Sequence, residues 1–453
     1  MILTMESLWL LILTVILLAI ALLGGTVASI VLVEHAKRRP ELNLALLSSL
    51  VGRAARRFGI LNAVLMIAAI LVMAVALGLY ARFGFGPLAG VSIDSIEPHM
   101  DFNVFLHSAQ ALWDGSAIYS ENGGPSISTN PPFWTVLMAP FALLEPIVAY
   151  RIFVLITVLV SIGYIAWMAS ELKLRPTWAV VGAVMLLFSN PWLGTLALGQ
   201  VYPLLTLGFV TAWVADRRDK RALSGIALGL VLAVKPQYAP VLLWPLVRRR
   251  WRTVAAALGT GAAATLVGVV IAGPNALIDW LAYVSSRRPD GYWDNNTLPG
   301  AAARLFEDNQ FVDPITTLPW AESAAYVLAI GIIILTTLWV RRDPEMGLWA
   351  LVAASLLASS VSWHNCLVML GPGILLLLAR GWTAPALLLL ALQAIPPDWS
   401  TPWRYGNTTT AALVLTLYFY ILIAHWLAFL TFKGGPARSS KPELPKAARS
   451  RLS

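Results

Sequence analysis

Apolar runs long enough to enter a lipid bilayer recur along almost the whole chain, and short clusters of Lys and Arg punctuate them. A chain with this pattern buries its hydrocarbon in a membrane and folds as a set of α-helices. Composition agrees. Of 453 residues, 58% are hydrophobic and 12% charged, which excludes a soluble globular protein and makes this an all-α polytopic membrane protein. The net charge of +9 does not argue for nucleic acid, because the basic residues sit in short loops between spans. Cys366 is the single cysteine, so neither a disulfide framework nor a thiol-rich metal site is expected.

Taken between charge clusters, the apolar runs predict about 13 spans. They lie near residues 8–33, 60–82, 147–170, 177–190, 199–215, 222–235, 237–247, 253–273, 323–340, 346–362, 366–380, 383–396 and 408–432. The first run, Leu8 to Val33, has no basic region before it, and Lys37, Arg38 and Arg39 follow it. It reads as a retained signal anchor with its N-terminus outside. If the spans alternate, the cytoplasmic side receives the basic groups around residues 37–57, 173–175, 217–221, 248–252, 341–342 and 380, and the tail from Lys433. Of the 32 Lys and Arg, only Arg82, Arg151, Lys235, Arg287, Arg288, Arg304 and Arg404 fall elsewhere. Such a bias is the positive-inside pattern.

The same alternation puts the polar, acidic stretch Ser92–Tyr119 outside. Phe102, Phe105, Leu106, Ala109, Leu112 and Trp113 form one helical stripe, which predicts a helix starting just after Asp101 and stopping at Gly115. At about 13 residues it is too short to span, and it is expected to lie along the membrane surface with its apolar face down. Pro131–Glu145 predicts a second half-embedded helix beside it, because a full span there would put every later basic cluster outside. The segment 222–247 has basic clusters at both ends, so it reads as a hairpin turning at Lys235-Pro236-Gln237. Arms of about 11–14 residues reach roughly 16–21 Å against a hydrocarbon core of about 30 Å, so the turn stops below the outer surface. Another short arm breaks at Asn190-Pro191. Irregular backbone at that depth needs protein or water to satisfy it, which suggests an outward-opening funnel with Gln200 and Lys235 near its base.

Several residues in these places suit chemistry. Asp101 reads either as a helix N-cap or as a general base for a sugar hydroxyl, and the two roles are compatible. Lys235 either snorkels to the interface or offers a cation to an anionic lipid headgroup. Arg151, Arg304 and Arg82 are weaker cation candidates, and a guanidinium suits phosphate oxygens by bidentate hydrogen bonding. His364, between Trp363 and Asn365, is either an interfacial histidine or a phosphate-binding or proton-transfer group. No metal-spaced His/Cys cluster is present, and metal dependence is not predicted.

In chain order, a set of short motifs resembles the family 87 glycosyltransferases, membrane enzymes of the GT-C type that use polyprenyl-phosphate sugars, commonly mannose. The carriers are Asp101-Phe102-Asn103-Val104 with Trp113-Asp114-Gly115 and Tyr119, Asn130-Pro131-Pro132-Phe133, and Leu198-Gly199-Gln200. Ser224-Gly225 leading to Val234-Lys235-Pro236-Gln237, Arg250-Trp251-Arg252, Asn295-Asn296-Thr297 with Arg304, and Ser362-Trp363-His364 complete the set, over about residues 60–430. The proline pair after Asn130 and the Asn at 296 depart from the residues more usual there, an aromatic and a Gln.

The resemblance implies a GT-C-like fold and places Asp101 where the family has its catalytic carboxylate. It puts Gln200 and Lys235 in motifs lining the cavity, and His364 near the donor phosphate. The implied partners are a polyprenyl-phosphate sugar donor, a lipid or glycan acceptor and membrane lipids, with no nucleic acid and no cofactor. The implied setting is the bacterial inner membrane, with the site facing the exterior or periplasm. Residues 1–59 then form an extra anchor and basic linker, 60–432 the catalytic domain, and 433–453 a disordered basic cytoplasmic tail. Two other classes stay open from sequence: a transporter or flippase of lipid-linked sugars, and a non-catalytic membrane scaffold.

Overall fold

The computed structural model describes residues 61, 63–76, 100–119, 127–395 and 408–432, with isolated positions at 14, 17, 20 and 21. Most of the expected Leu8–Val33 anchor, its basic linker, Arg82, Asp94 and Glu97, the loop 396–407 and the tail from Lys433 lie outside the described residues. Within them the chain is helical, with no strand.

Helix α1 spans Ala63–Ala76, α2 Met100–Trp113 and α3 Pro132–Met138, the last running into a 3-10 turn at Ala139–Leu143. Then come α4 (Pro146–Glu171), α5 (Pro176–Leu187), α6 (Asn190–Leu198), α7 (Tyr202–Arg217) and α8 (Arg221–Val234). A 3-10 segment at Pro236–Leu242 leads to α9 (Leu243–Val247), α10 (Trp251–Ala272), α11 (Pro274–Ser286) and α12 (Leu298–Phe306). The last group is α13 (Ala321–Val340), α14 (Pro344–Ala358), a 3-10 turn at His364–Leu370, α15 (Gly371–Ala379), α16 (Thr383–Gln393), α17 (Thr409–Leu415) and α18 (Leu417–Thr431). Proline in the first turn starts many of these helices, where its missing N–H costs nothing. At α4 the Glu145 carboxylate adds a cap by accepting from Val148 N–H at 3.3 Å.

The helices fall into two groups by length and burial. Among the described residues α4, α10 and α13 are long and apolar enough to cross a membrane. They also carry exposed apolar side chains, including Leu155, Leu159, Leu266, Val327 and Leu328, which suits a hydrocarbon boundary. Two bent pairs, α5 with α6 and α17 with α18, each kinked by 46°, raise the number to at most five. Among the described residues the other predicted spans are helices of fewer than 18 residues or fall in the 3-10 and short-helix segment after Lys235, so length alone does not confirm the expected count of 13 crossings there. Proline explains the second hairpin arm, where Pro236, Pro240 and Pro245 replace regular helix with a 3-10 turn and five α-helical residues. Several short helices, α14, α15, α16 and α18, make up the buried centre.

Two expectations about the polar helix are corrected. It begins at Met100, so Asp101 occupies the first turn rather than the cap position. Nor is its apolar stripe left for lipid. Phe102 and Phe105 are buried, Phe102 meeting the rings of Tyr150 and Phe153 on α4 and Phe105 meeting Trp134 on α3. The reason is that α3 and α4 offer an aromatic surface that covers the stripe more completely than a flat interface would. The stripe's far end, Trp113, stays exposed and donates its indole N–H to Ala139 O at 2.8 Å.

The basic clusters assigned to the cytoplasmic side do meet. Arg217 and Arg218 pair with Glu171, Arg217 also with Glu345, Arg248 with Asp216, and Arg380 with Asp343 and Glu345. One network therefore joins the ends of α4, α7, α9, α14 and α15. It places the clusters before and after the 222–247 hairpin at the same end of the molecule.

Candidate active site

The opposite end of the same helices gathers the residues singled out for chemistry. Gln200 precedes α7 and Arg217 ends it, so 16 residues, about 24 Å at 1.5 Å each, separate this end from the arginine network. Gly199 makes the junction. Its φ of +64° turns the chain out of α6 in the left-handed region, and a Cβ there would lie 2.8 Å from the Cβ of Phe102. That close approach seats α2 on the α6–α7 turn. The neighbours of the touching residues then meet: Gln200 Nε2 donates to Asp101 Oδ2 at 2.6 Å.

Lys235 caps the end of α8 and is buried at 7% exposure, with Nζ donating to Thr129 Oγ1 at 3.3 Å. It lies near enough to Asp101 for the two charges to attract each other, and near enough to Arg287 for those to repel. A buried ammonium flanked by a second cation favours an anionic visitor. Thr129 belongs to a segment held from several sides: Tyr119 donates to Asn130 O at 2.7 Å, Trp280 to Thr129 O at 3.1 Å and Tyr283 to Ile127 O at 3.3 Å. Asn130 is fully buried, and neither side-chain amide atom has a hydrogen-bond partner. Such a group is costly unless something polar meets it in the working protein.

His364 opens the 3-10 turn after α14. Its Nδ1 lies 2.6 Å from Asp294 Oδ2, while its backbone N–H donates to Asp294 Oδ1 at 2.9 Å. The edge of the ring rests on Tyr418, with centroids 5.5 Å apart. Arg304 is fully buried on α12, but all three of its nitrogens serve protein: Nε donates to Thr416 Oγ1 at 2.9 Å, Nη1 to Tyr292 O and Nη2 to Asn295 O at 3.2 Å. Burial pulls its guanidinium down to about 10, against the pull of Tyr420, Asp294 and Asp290, so it stays charged at neutral pH. Arg151 is exposed on α4 among the outward-facing residues Val148, Ile152 and Leu155.

The structure thus joins Asp101 to Gln200, with Lys235 in electrostatic range of Asp101. His364 is held by a separate loop, Arg304 works as a strut, and Arg151 lies on the outer surface of its helix. Sequence reasoning missed Thr129, Asn130, Arg287 and Asp294 as site residues. The signals present were an Asn before two prolines, a basic pair in an outer loop, and the run Asp294-Asn295-Asn296-Thr297 that precedes α12.

An all-helical, largely apolar protein with a carboxylate, an amide and a buried ammonium gathered at one end has the makings of a membrane-embedded transferase. Comparison with known proteins defines it further. The model of glycosyltransferase family 87 matches residues 129–368, a little over half of the chain, and the chain belongs to that family and is a membrane glycosyltransferase. Gln200, Lys235, Asp294, Arg304 and His364 fall inside the matched segment, and Asp101 lies before it. A polyprenol-phosphate-mannose-dependent alpha-(1-2)-phosphatidylinositol mannoside mannosyltransferase of Mycobacterium tuberculosis (strain ATCC 25618 / H37Rv) is 29% identical over 334 residues, 65% of this chain and 74% of the relative. The protein of the same description from Mycolicibacterium smegmatis is 25% identical over 361 residues, 70% of this chain and 75% of its own length. No solved structure matches the chain.

Proposed function

We propose that the protein transfers a hexose, mannose before other sugars, from polyprenyl phosphate to a hydroxyl of a lipid or glycan acceptor on the outer face of the membrane, with inversion at the anomeric carbon. The observation that carries this reading is the 2.6 Å bond from Gln200 to Asp101, with Lys235 in electrostatic reach. It supplies a fixed carboxylate for the acceptor and a buried cation for the donor within one polar cluster. The curated relatives' dependence on polyprenol-phosphate-mannose favours mannose, and their phosphatidylinositol mannoside acceptors make such glycolipids the first acceptors to try. The distance to the arginine network supports the outer face, since the positive-inside rule favours the cytoplasm for that network.

In this mechanism Asp101 takes the proton of the acceptor hydroxyl as its oxygen attacks the anomeric carbon. The bond from that carbon to the phosphate oxygen breaks, and its electron pair leaves with polyprenyl phosphate as a monoester. Lys235 and His364 meet the phosphate oxygens, where charge grows as the bond breaks. Gln200 fixes the carboxylate's rotation so that its basic oxygen faces the acceptor. We assign residues 60–432 to the catalytic unit.

The test is turnover by purified protein given a polyprenyl-phosphate-mannose donor and a mixture of phosphatidylinositol mannosides, wild type beside Asp101→Asn. Wild-type transfer with a loss of about 10²–10⁴-fold in the variant is expected for a general base. Undiminished turnover in Asp101→Asn overturns the base assignment. Absence of wild-type transfer from any polyprenyl-linked sugar overturns the donor class.

A further inference from the structure

His364 is more constrained than an interfacial histidine needs to be. Asp294 grips it twice, through the ring Nδ1 at 2.6 Å and through the backbone N–H at 2.9 Å. The carboxylate is itself set in place: Asn296 Nδ2 donates to Asp294 Oδ1 at 3.3 Å, and Asn296 N–H donates to Ser362 O at 2.7 Å, two residues before the histidine. An ionised carboxylate only accepts, so the nitrogen facing it carries hydrogen, and Nδ1–H is the form this geometry holds. The other ring nitrogen, Nε2, is buried and has no hydrogen-bond partner. It rests over Gly194 of α6, where a Cβ would come within 2.5 Å of it. The helix thus leaves room for the bare nitrogen while giving it nothing to bond to. A histidine whose role was only to tie two loops together would use both nitrogens or leave the second in solvent.

We propose that Asp294 is a positioning residue, one that holds His364 in the tautomer and rotation that leave Nε2 to serve the phosphate group of a polyprenyl-phosphate ligand. The inference rests on the reaction proposed above and adds to it the residue that makes His364 fit for its part. With the Asp294 carboxylate on Nδ1–H, a proton taken from water as the anionic ligand enters sits on Nε2, and that N–H donates to a phosphate oxygen. Such a bond strengthens as the leaving monoester gains charge. The proton from the acceptor stays on Asp101, so the two groups serve opposite ends of the transfer. Among the described residues the groups against the imidazole are Asp294 from the loop, with Arg304 of α12 beyond it, Tyr418 from α18, and uncharged Gly194 from α6. The acidic side chain that contacts the ring, Asp294, is therefore the one that orients it.

The experiment labels histidine with ¹⁵N in the full chain in lipid nanodiscs. The chain has five histidines, and His364 is assigned by its loss in His364→Gln. Wild type is expected to show a strongly hydrogen-bonded Nδ1–H and an Nε2 signal that moves on titration with polyprenyl phosphate. In Asp294→Asn the side-chain amide can turn its NH₂ toward the ring, so the Nδ1–H signature is lost and the Nε2 response to polyprenyl phosphate weakens. Asp294→Glu, which keeps a carboxylate, restores both. In transfer assays Asp294→Asn raises KM for the donor by about 10-fold to 100-fold, the loss of one charge-assisted hydrogen bond, and leaves KM for the acceptor unchanged. Identical ¹⁵N signatures and donor KM in wild type and Asp294→Asn overturn the proposal. So does an Nε2 signal in wild type that ignores polyprenyl phosphate. If wild type transfers no sugar, the reaction fails, and the ¹⁵N comparison and the polyprenyl phosphate titration still decide whether Asp294 sets His364 for a phosphate.

Discussion

The two ends of this helix bundle handle polar groups in opposite ways. At the arginine end every guanidinium in the network meets a carboxylate, as in Arg380 with Asp343 and Glu345, and Arg248 with Asp216. Two of those guanidiniums, Arg217 and Arg248, also lie 4.7 Å over the indoles of Trp213 and Trp244. At the other end, Asn130, Gln200 Oε1 and His364 Nε2 are buried without partners. A network of paired charges holds helices together, although Arg248 Nη1, Arg380 Nε and Asp216 Oδ1 in it also lack hydrogen-bond partners. A cluster left unpartnered costs stability and is retained where a substrate completes it. The charge-paired end reads as scaffold and the end holding Asp101 as the candidate site.

Substitutions at the two ends separate these roles. Asp101→Asn carries the largest expected effect, about 10²–10⁴-fold in turnover with an unchanged unfolding midpoint. A fall in the midpoint equal to that of a scaffold variant would make Asp101 a structural residue instead. Arg380→Ala should do the reverse, because it leaves Asp343 buried without its guanidinium. A loss of about 3–5 kcal/mol is expected in denaturant unfolding, with turnover per folded molecule retained. A specific activity that drops with stability would couple the two ends.

Gly199→Ala tests the junction that aims Asp101. The strained φ and the clash with Phe102 should cost about 1–3 kcal/mol, and turnover should fall as α2 is displaced. Phe102→Ala in the same chain should recover part of that turnover, and failure to do so would separate the clash from the aiming. The smallest effect belongs to Arg218→Ala. Its pair with Glu171 is half exposed on the arginine side, so about 0–1 kcal/mol is expected, fading with salt.

Much of the fold was legible in charge and hydropathy. The bias of Lys and Arg to alternate loops groups residues 37–57, 173–175, 217–221, 248–252, 341–342 and 380 on one side. Ion pairs of Arg217 with Glu171 and Glu345, Arg248 with Asp216 and Arg380 with Glu345 bring the clusters at 217–221, 248–252 and 380 together at one end. Lengths were less legible, because a run of apolar residues does not say where proline and glycine will break it. The segment after Lys235 and the turn before Pro372 read as spans and fold partly as 3-10 turns. The stripe on α2 was visible at helical spacing, yet its partner was not. Periodicity shows that a face is buried and leaves open whether lipid or an aromatic wall buries it.

The amino-acid sequence alone is enough for the membrane class and for the expectation of which charges share a side. These depend on local composition and on the transfer energy of each side chain, which any reader of the chain can sum. Only the tertiary structure decided who meets whom. Asp101 and Gln200 are 99 positions apart, and His364 and Asp294 are 70 apart. Their pairing depends on a left-handed glycine beneath Phe102 and a missing Cβ beneath an imidazole. Close packing alone selects those contacts, since it acts through the shapes of surfaces that no local stretch of chain contains.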